Sequence, residues 1–236
     1  LFRSVCRLHL QSDFETMMNG IINISIFGSY GRGNPDSYSD LDVLVLCRDG
    51  AGAQSESYVR EVVRTQFGKE PSISWYGEQK LAHFFATGDL FAWHLHQESF
   101  ALSGFQPLAE IYGQPTPYLN CLDDIAGLRE ILSSIPDQIS INPQNVVYEL
   151  GLTYVCMRNI AMTASSVLLD KIDFGRSSPY ALPEATPSID KDDYHQFAKC
   201  RHASTRGTPA PDVPINVNGA LRECLDWAEK VERMVK

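Results

Sequence analysis

The chain has 236 residues, of which 44% are hydrophobic and 21% charged, and its formal net charge is −9. That usage excludes disorder as a description of the whole chain, and the length allows one large domain or two smaller ones. The acidic balance argues against nucleic acid as a partner, because phosphate neutralisation needs clustered Lys and Arg and no such run is present.

No apolar run approaches the roughly 18 residues needed to span a bilayer, so no membrane partner is expected. Leu1-Phe2-Arg3 lacks a charged-then-apolar signal layout. With no initiating Met, a few native residues are expected to be missing. Cysteines at 6, 47, 121, 156, 200 and 224 form no CxxC pair, which removes the zinc and redox signatures. Cys47 and Cys156 lie in apolar stretches and read as small buried hydrophobes. A reduced, cytoplasmic protein is expected.

In chain order, residues 3–19 read as a helix. Val5, Leu8, Phe14 and Met17/Met18 fall near a 3.6-residue period, and Gly20 ends it. Ile21 to Phe27 is β-branched and apolar and stops abruptly at Gly28, the pattern of a buried strand. Residues 28–39 are rich in Gly, Ser, Asn and Pro and form a turn region. Leu41 to Cys47 is a second strand, residues 54–67 an amphipathic helix closed by Gly68, and Ser72 to Tyr76 a third strand. Short helices are expected over 78–86 and 89–98, and a last short strand over 100–102. Residues 104–120 contain Gly104, Pro107, Gly113, Pro115 and Pro117, which suits a linker or a wrapped connection. Helices follow over 121–135, 144–170, 190–201 and 217–236, with loops over 176–187 and 208–214. The expected architecture is an α/β (α+β) domain, a mixed sheet flanked by helices, over residues 1–104. A linker over 105–120 then leads to an all-α helical bundle over 121–236.

The chemistry concentrates in Gly28-Ser29-Tyr30-Gly31-Arg32-Gly33-Asn34-Pro35-Asp36-Ser37-Tyr38-Ser39-Asp40-Leu41-Asp42. A buried strand runs straight into Gly28-Ser29. Without a side chain at Gly28, backbone N–H groups can approach a phosphate closely, and a helix starting there would point its positive end at the same group. Ser29 adds a hydroxyl donor and Arg32 can reach an anion. Asp40 and Asp42 open the next strand. Residues two apart on a strand face the same way, so the carboxylates converge while Leu41 turns to the other side. Adjacent carboxylates repel unless a cation joins them. Mg²⁺ with nucleotide phosphates is the natural occupant, since it favours one or two carboxylates plus phosphate oxygens and water. Either half alone has an ordinary explanation, a tight turn or a solvated Asp-x-Asp. Their order between two apolar strands is what points to a nucleotide–metal site.

Gly28-Ser29, Gly33 and Ser39-Asp40-x-Asp42 followed by an apolar strand resemble the signature of the DNA polymerase β-like nucleotidyltransferase superfamily. Asp89-Leu90-Phe91, His94-Leu95, Glu98 and Leu102-Ser103-Gly104 are similar to the helix and final strand of minimal nucleotidyltransferase domains. The resemblance covers about residues 15–104. The helical remainder is similar in layout to the C-terminal domains of aminoglycoside nucleotidyltransferases and HEPN-type proteins, on no specific motif. The resemblance implies Mg²⁺ at Asp40 and Asp42 and a triphosphate at Gly28 and Ser29, with Arg32 and Ser39 in the same set. It further implies ATP or another nucleoside triphosphate as donor. A nucleoside monophosphate would pass to a small-molecule or protein hydroxyl, with release of pyrophosphate.

One departure stands out. The family places a third carboxylate on a later strand, and here that strand reads Ser72-Ile73-Ser74-Trp75. A serine hydroxyl is a weak ligand and a poor base at neutral pH. Glu70, Glu78 and Glu149 are the acids considered as substitutes. The alternative reading is therefore a catalytically impaired nucleotide-binding or interaction module of the same fold. His94 and His96 point to different helix faces and do not share a metal. Asp190, Asp192 and Asp193 read as helix-start acids. Arg158-Asn159 has no His where the HEPN ribonuclease motif needs one. Trp75, Tyr76, Phe91 and Trp93 read as core before base-stacking residues. A homodimer is compatible with the sequence.

Overall fold

The computed structural model describes residues 20–36, 39–51, 55–213 and 216–236; the helix expected over 3–19 lies outside them. The chain divides into two compact units, Leu1–Tyr118 and Leu119–Lys236.

The first unit is built on four strands: β1 (Ile21–Phe27), β2 (Leu41–Cys47), β3 (Pro71–Gly77) and β4 (Phe100–Ala101). Their order is β3-β2-β1-β4. β1 runs antiparallel to β2 and β4, whereas β2 and β3 are parallel, so the sheet is mixed. The parallel step needs a crossover, supplied by α2 (Glu56–Phe67), which Gly68 ends in the left-handed conformation at φ 66°. A single turn, α1 (Gly28–Gly31), links β1 to β2. The helices α3 (Glu78–Thr87) and α4 (Leu90–Glu98) follow β3. Asp89 caps α4 by accepting from the N–H of Phe91 at 2.8 Å.

Both faces of the sheet are covered, which is why the strands read as nearly continuous apolar runs. Ile24, Ile26, Leu41, Val43 and Val45 pack with Val59 and Val63 of α2. On the other face Phe27, Leu44 and Leu46 pack with Leu81 and Phe85 of α3 and with Ala92 and Leu95 of α4. The two sets alternate strictly along β2, and Asp42 falls in the row of Leu44 and Leu46. A one-residue slip would exchange the faces and turn Asp42 into the Val59/Val63 side. At roughly 1.5–3 kcal/mol per buried aliphatic side chain, the register that presents Asp42 is fixed by several kcal/mol.

Of residues 105–120, read as a linker or wrapped connection, those through Tyr118 belong to the first unit. They include a short helix, α5 (Leu108–Tyr112), that the sequence pattern does not announce. Leu108 is buried in the second cluster. Asn23 Nδ2 donates to the carbonyl of Gln106 at 2.6 Å, and Trp93 Nε1 donates to that of Thr116 at 3.0 Å.

The second unit is helical: α6 (Cys121–Ile141), α7 (Val146–Leu168), α8 (Lys191–Arg206) and α9 (Val217–Met234). α7 packs against the other three and is buried along most of its length. α6 continues past residue 135, through Pro136. Proline there removes one backbone donor, and the burial of Leu132 and Ile135 in the turn before it keeps the helix in place. Cys47 and Cys156 are buried free thiols. Among the described residues, no helix is long and apolar enough to cross a membrane.

Candidate active site

β1 delivers the chain into Gly28, whose φ of +69° lies in the region that side chains other than glycine's enter at a cost. Asp42 is the register partner of Phe27 on the neighbouring strand, so its carboxylate comes alongside this turn. A Cβ on Gly28 would sit 2.8 Å from Asp42 Oδ2. The bare Cα of Gly28 is therefore what makes room for that carboxylate. Leu41 is fully buried against the α2 side, so alternation turns Asp42 to the opposite side, while Asp40 immediately precedes the strand.

Ser39 is 2% exposed. Its hydroxyl donates to Asp36 Oδ1 at 2.9 Å and accepts from the N–H of Asp36 at 3.0 Å. That exchange closes the loop that leads into Asp40. The parallel offset of β2 and β3 carries on past the strand, and Lys69 Nζ donates to the carbonyl of Ser39. Sequence reading missed this lysine, because its place depends on a strand offset that no local pattern reveals.

Among the described residues the Ser29 hydroxyl makes no hydrogen bond. Arg32 Nη1 lies 2.5 Å from Glu98 Oε2, and its Nε donates to Asn34 Oδ1 at 3.3 Å. Glu98, at the end of α4, is 9% exposed. His94 Nε2 lies 2.9 Å from the same Glu98 oxygen, and the His94 ring meets Phe27 edge-on at 5.5 Å. His96 instead stacks edge-on against Trp93, so the two histidines diverge as their spacing requires. Gly31 is fitted against α4, where a Cβ would overlap the backbone oxygen of Glu98 at 1.8 Å.

No group of three His, Cys, Asp or Glu side chains converges to hold a metal among the described residues. The Asp42 carboxylate beside a side-chain-free turn is a different donor set. It suits a cation whose remaining ligands are phosphate oxygens and water.

Residues 9–91 match the family model described as the nucleotidyltransferase domain. The chain carries a nucleotidyltransferase domain. Its reaction class is transfer of a nucleoside monophosphate, in keeping with the nucleotidyltransferase resemblance of the sequence. Among solved structures, the chain is similar to a spectinomycin adenyltransferase from Enterococcus faecialis, solved with ATP and spectinomycin. The two share 12% identity over 95% of this chain and 96% of that one, with a TM-score of 0.49. No curated protein matches the chain.

Within the nucleotidyltransferase domain, the place beside Asp42 on β3 belongs to Ser72. Ile73 packs on the α2 side and Tyr76 on the other, so Ser72 and Ser74 share the face of Asp42. Ser72 is exposed. Glu78 follows the far end of β3, five residues beyond the Asp42–Ser72 pair at Cys47–Gly77. At about 3.3 Å per residue the strand alone carries it some 16 Å away. Glu70 is exposed and paired with Arg60 Nη1 at 2.9 Å. Glu149 lies in the second unit on α7, 5% exposed, and burial raises its carboxyl above the ordinary range. Tyr76, Phe84 and Phe91 form an edge-packed aromatic group, and Trp75 packs against the α2-side core. In the second unit, Arg158 donates to the carbonyls of Phe174 and Gly175. Asp190 caps α8 through the N–H of Asp192 at 2.7 Å.

Proposed function

We propose that this protein is a Mg²⁺-dependent nucleotidyltransferase that moves AMP from ATP, or a nucleoside monophosphate from another triphosphate, to the hydroxyl of a small molecule or protein. The observation that carries this reading is the contact between Gly28 and Asp42, where a Cβ would reach Asp42 Oδ2 at 2.8 Å. A metal-binding carboxylate and a phosphate-binding turn share one place there.

Asp40 and Asp42 are the residues that would hold Mg²⁺, which supplies positive charge to phosphate oxygens during displacement. Gly28 and Ser29 receive the triphosphate through backbone N–H and hydroxyl donors, and Arg32 adds a guanidinium. Ser39, with its hydroxyl committed to Asp36, holds the loop that presents Asp40. In the reaction the acceptor oxygen bonds to the α-phosphorus. The bond from that phosphorus to the β-bridging oxygen breaks, and pyrophosphate leaves with the electron pair. The acceptor's proton passes to a base. Positioning and electrostatic stabilisation provide most of the rate in such transfers. The net charge of −9 favours an acceptor that is not a nucleic acid.

Ser72 beside Asp42 favours a second reading, a nucleotide-binding module with impaired turnover, because no carboxylate stands at that register position. Transfer from α-labelled ATP with Mg²⁺ across a panel of hydroxyl acceptors separates the two. Asp42→Asn is expected to abolish label transfer and pyrophosphate release while leaving thermal unfolding within a few degrees. Transfer by the variant at the parent's rate defeats the assignment. Nucleotide binding without pyrophosphate release under every acceptor supports the impaired module.

A further inference from the structure

A carboxylate as buried as Glu98 is costly unless it is paired, and its pairing here is specific. Its Oε2 lies 2.5 Å from Arg32 Nη1, and His94 Nε2 approaches the same oxygen to 2.9 Å without the geometry of a hydrogen bond, so the pairing is with Arg32. The backbone carbonyl of the same residue lies against the Cα of Gly31, where a Cβ would come within 1.8 Å. Glu98 thus touches the phosphate turn twice, through its main chain at Gly31 and through its side chain at Arg32.

An arginine side chain loses rotamer entropy when it is held in one place. Arg32 is already held on two edges, Nη1 by Glu98 and Nε by Asn34. Among the described residues its Nη2 has no hydrogen-bond partner, and the side chain keeps 21% exposure. A planar donor fixed on two sides with a third left over is the arrangement expected of an anion-binding guanidinium.

We propose that Glu98 is a positioning residue for the nucleotide: it orients Arg32 so that Nη2 meets the triphosphate, and it acts on the nucleotide only through Arg32. This rests on the nucleotidyltransferase reading of the Gly28–Asp42 site. Replacing Glu98 with glutamine keeps its shape and an acceptor oxygen but removes the charge.

The test is calorimetric binding of a non-hydrolysable ATP analogue with Mg²⁺ to the whole chain, for the parent, Glu98→Gln, Arg32→Ala and the double variant. KM and kcat for pyrophosphate release follow where turnover is measurable. Glu98→Gln is expected to weaken analogue binding about tenfold, the usual scale for loss of one oriented charged contact. KM should rise with it while kcat stays within about threefold. Arg32→Ala should cost at least as much, and the double variant should match Arg32→Ala, because the pathway runs through Arg32. Glu98→Gln weakening binding equally with and without Arg32 overturns the proposal, as that marks a purely structural role. Unchanged binding by Arg32→Ala overturns it too, and that variant removes a partly exposed side chain, so it remains informative if Glu98→Gln folds poorly. Failure of the parent to bind the analogue sinks the functional reading itself; binding by the parent with both variants unaffected sinks only the role of Glu98.

Discussion

Replacing Gly28 with alanine perturbs backbone and site together, and Gly33 and Gly31 allow the two to be separated. At Gly28 the φ of +69° costs an L-residue about 1–2 kcal/mol. For a unit of this size that lowers the melting transition by about 4–10 °C. The added methyl also lands 2.8 Å from Asp42 Oδ2, so the carboxylate must swing away from the turn. A displacement of about 1 Å in a reacting geometry costs on the order of 100-fold in rate. Gly33 has a φ of +75° with nothing within 4 Å of the added Cβ. Gly33→Ala therefore carries the same backbone cost without touching Asp42. Gly31→Ala drives a Cβ to within 1.8 Å of the Glu98 carbonyl oxygen, which backbone cannot yield, and should prevent the turn from assembling. Differential scanning calorimetry and pyrophosphate release on all three variants check the reasoning. Expected are similar melting losses for Gly28→Ala and Gly33→Ala, with transfer lost about 100-fold only in the first. Equal transfer by these two variants refutes it.

Ser72→Asp places a third carboxylate in register beside Asp42. Since a positioned base contributes about 10²–10⁴-fold, turnover should rise at least tenfold if the missing acid limits the parent; an unchanged kcat dismisses that explanation. Glu149→Gln probes the second unit. Burial raises the Glu149 carboxyl, so the folded form holds its proton more tightly than the unfolded form does. The associated stability is present at low pH and is lost as pH rises through the raised value. The glutamine variant should therefore melt higher than the parent at pH 7, and the two curves should converge below about pH 4. Parallel melting curves across that range contradict the sign.

Most of the first unit was legible because its strands are buried on both faces and its helices amphipathic. β1 and β2 follow the apolar runs, α2 ends at Gly68, and α4 starts from an Asp89 cap. α5 was not legible: five residues among Pro and Gly show no period, and tertiary contacts through Leu108 hold them. The end of α6 was misplaced because Pro136 is a local breaker that burial of Leu132 and Ile135 overrides. In the site, the opposite facing of Leu41 and Asp42 followed from strand geometry alone, whereas Asp40 precedes the strand and alternation does not fix its direction. The bond between Arg32 and Glu98 did not follow from local geometry, since it joins residues 66 apart. Ser39 illustrates the same limit. Its place before Asp40 suggested a phosphate ligand, and only the fold reveals Asp36 as the partner of its hydroxyl.

A crystal structure of the protein with Mg²⁺ and a non-hydrolysable ATP analogue tests the central claim most directly. The account predicts a cation ligated by carboxylate oxygens of both Asp40 and Asp42, with the phosphates lying over Gly28 and Ser29. A nucleotide bound elsewhere, or a cation held by neither aspartate, contradicts it.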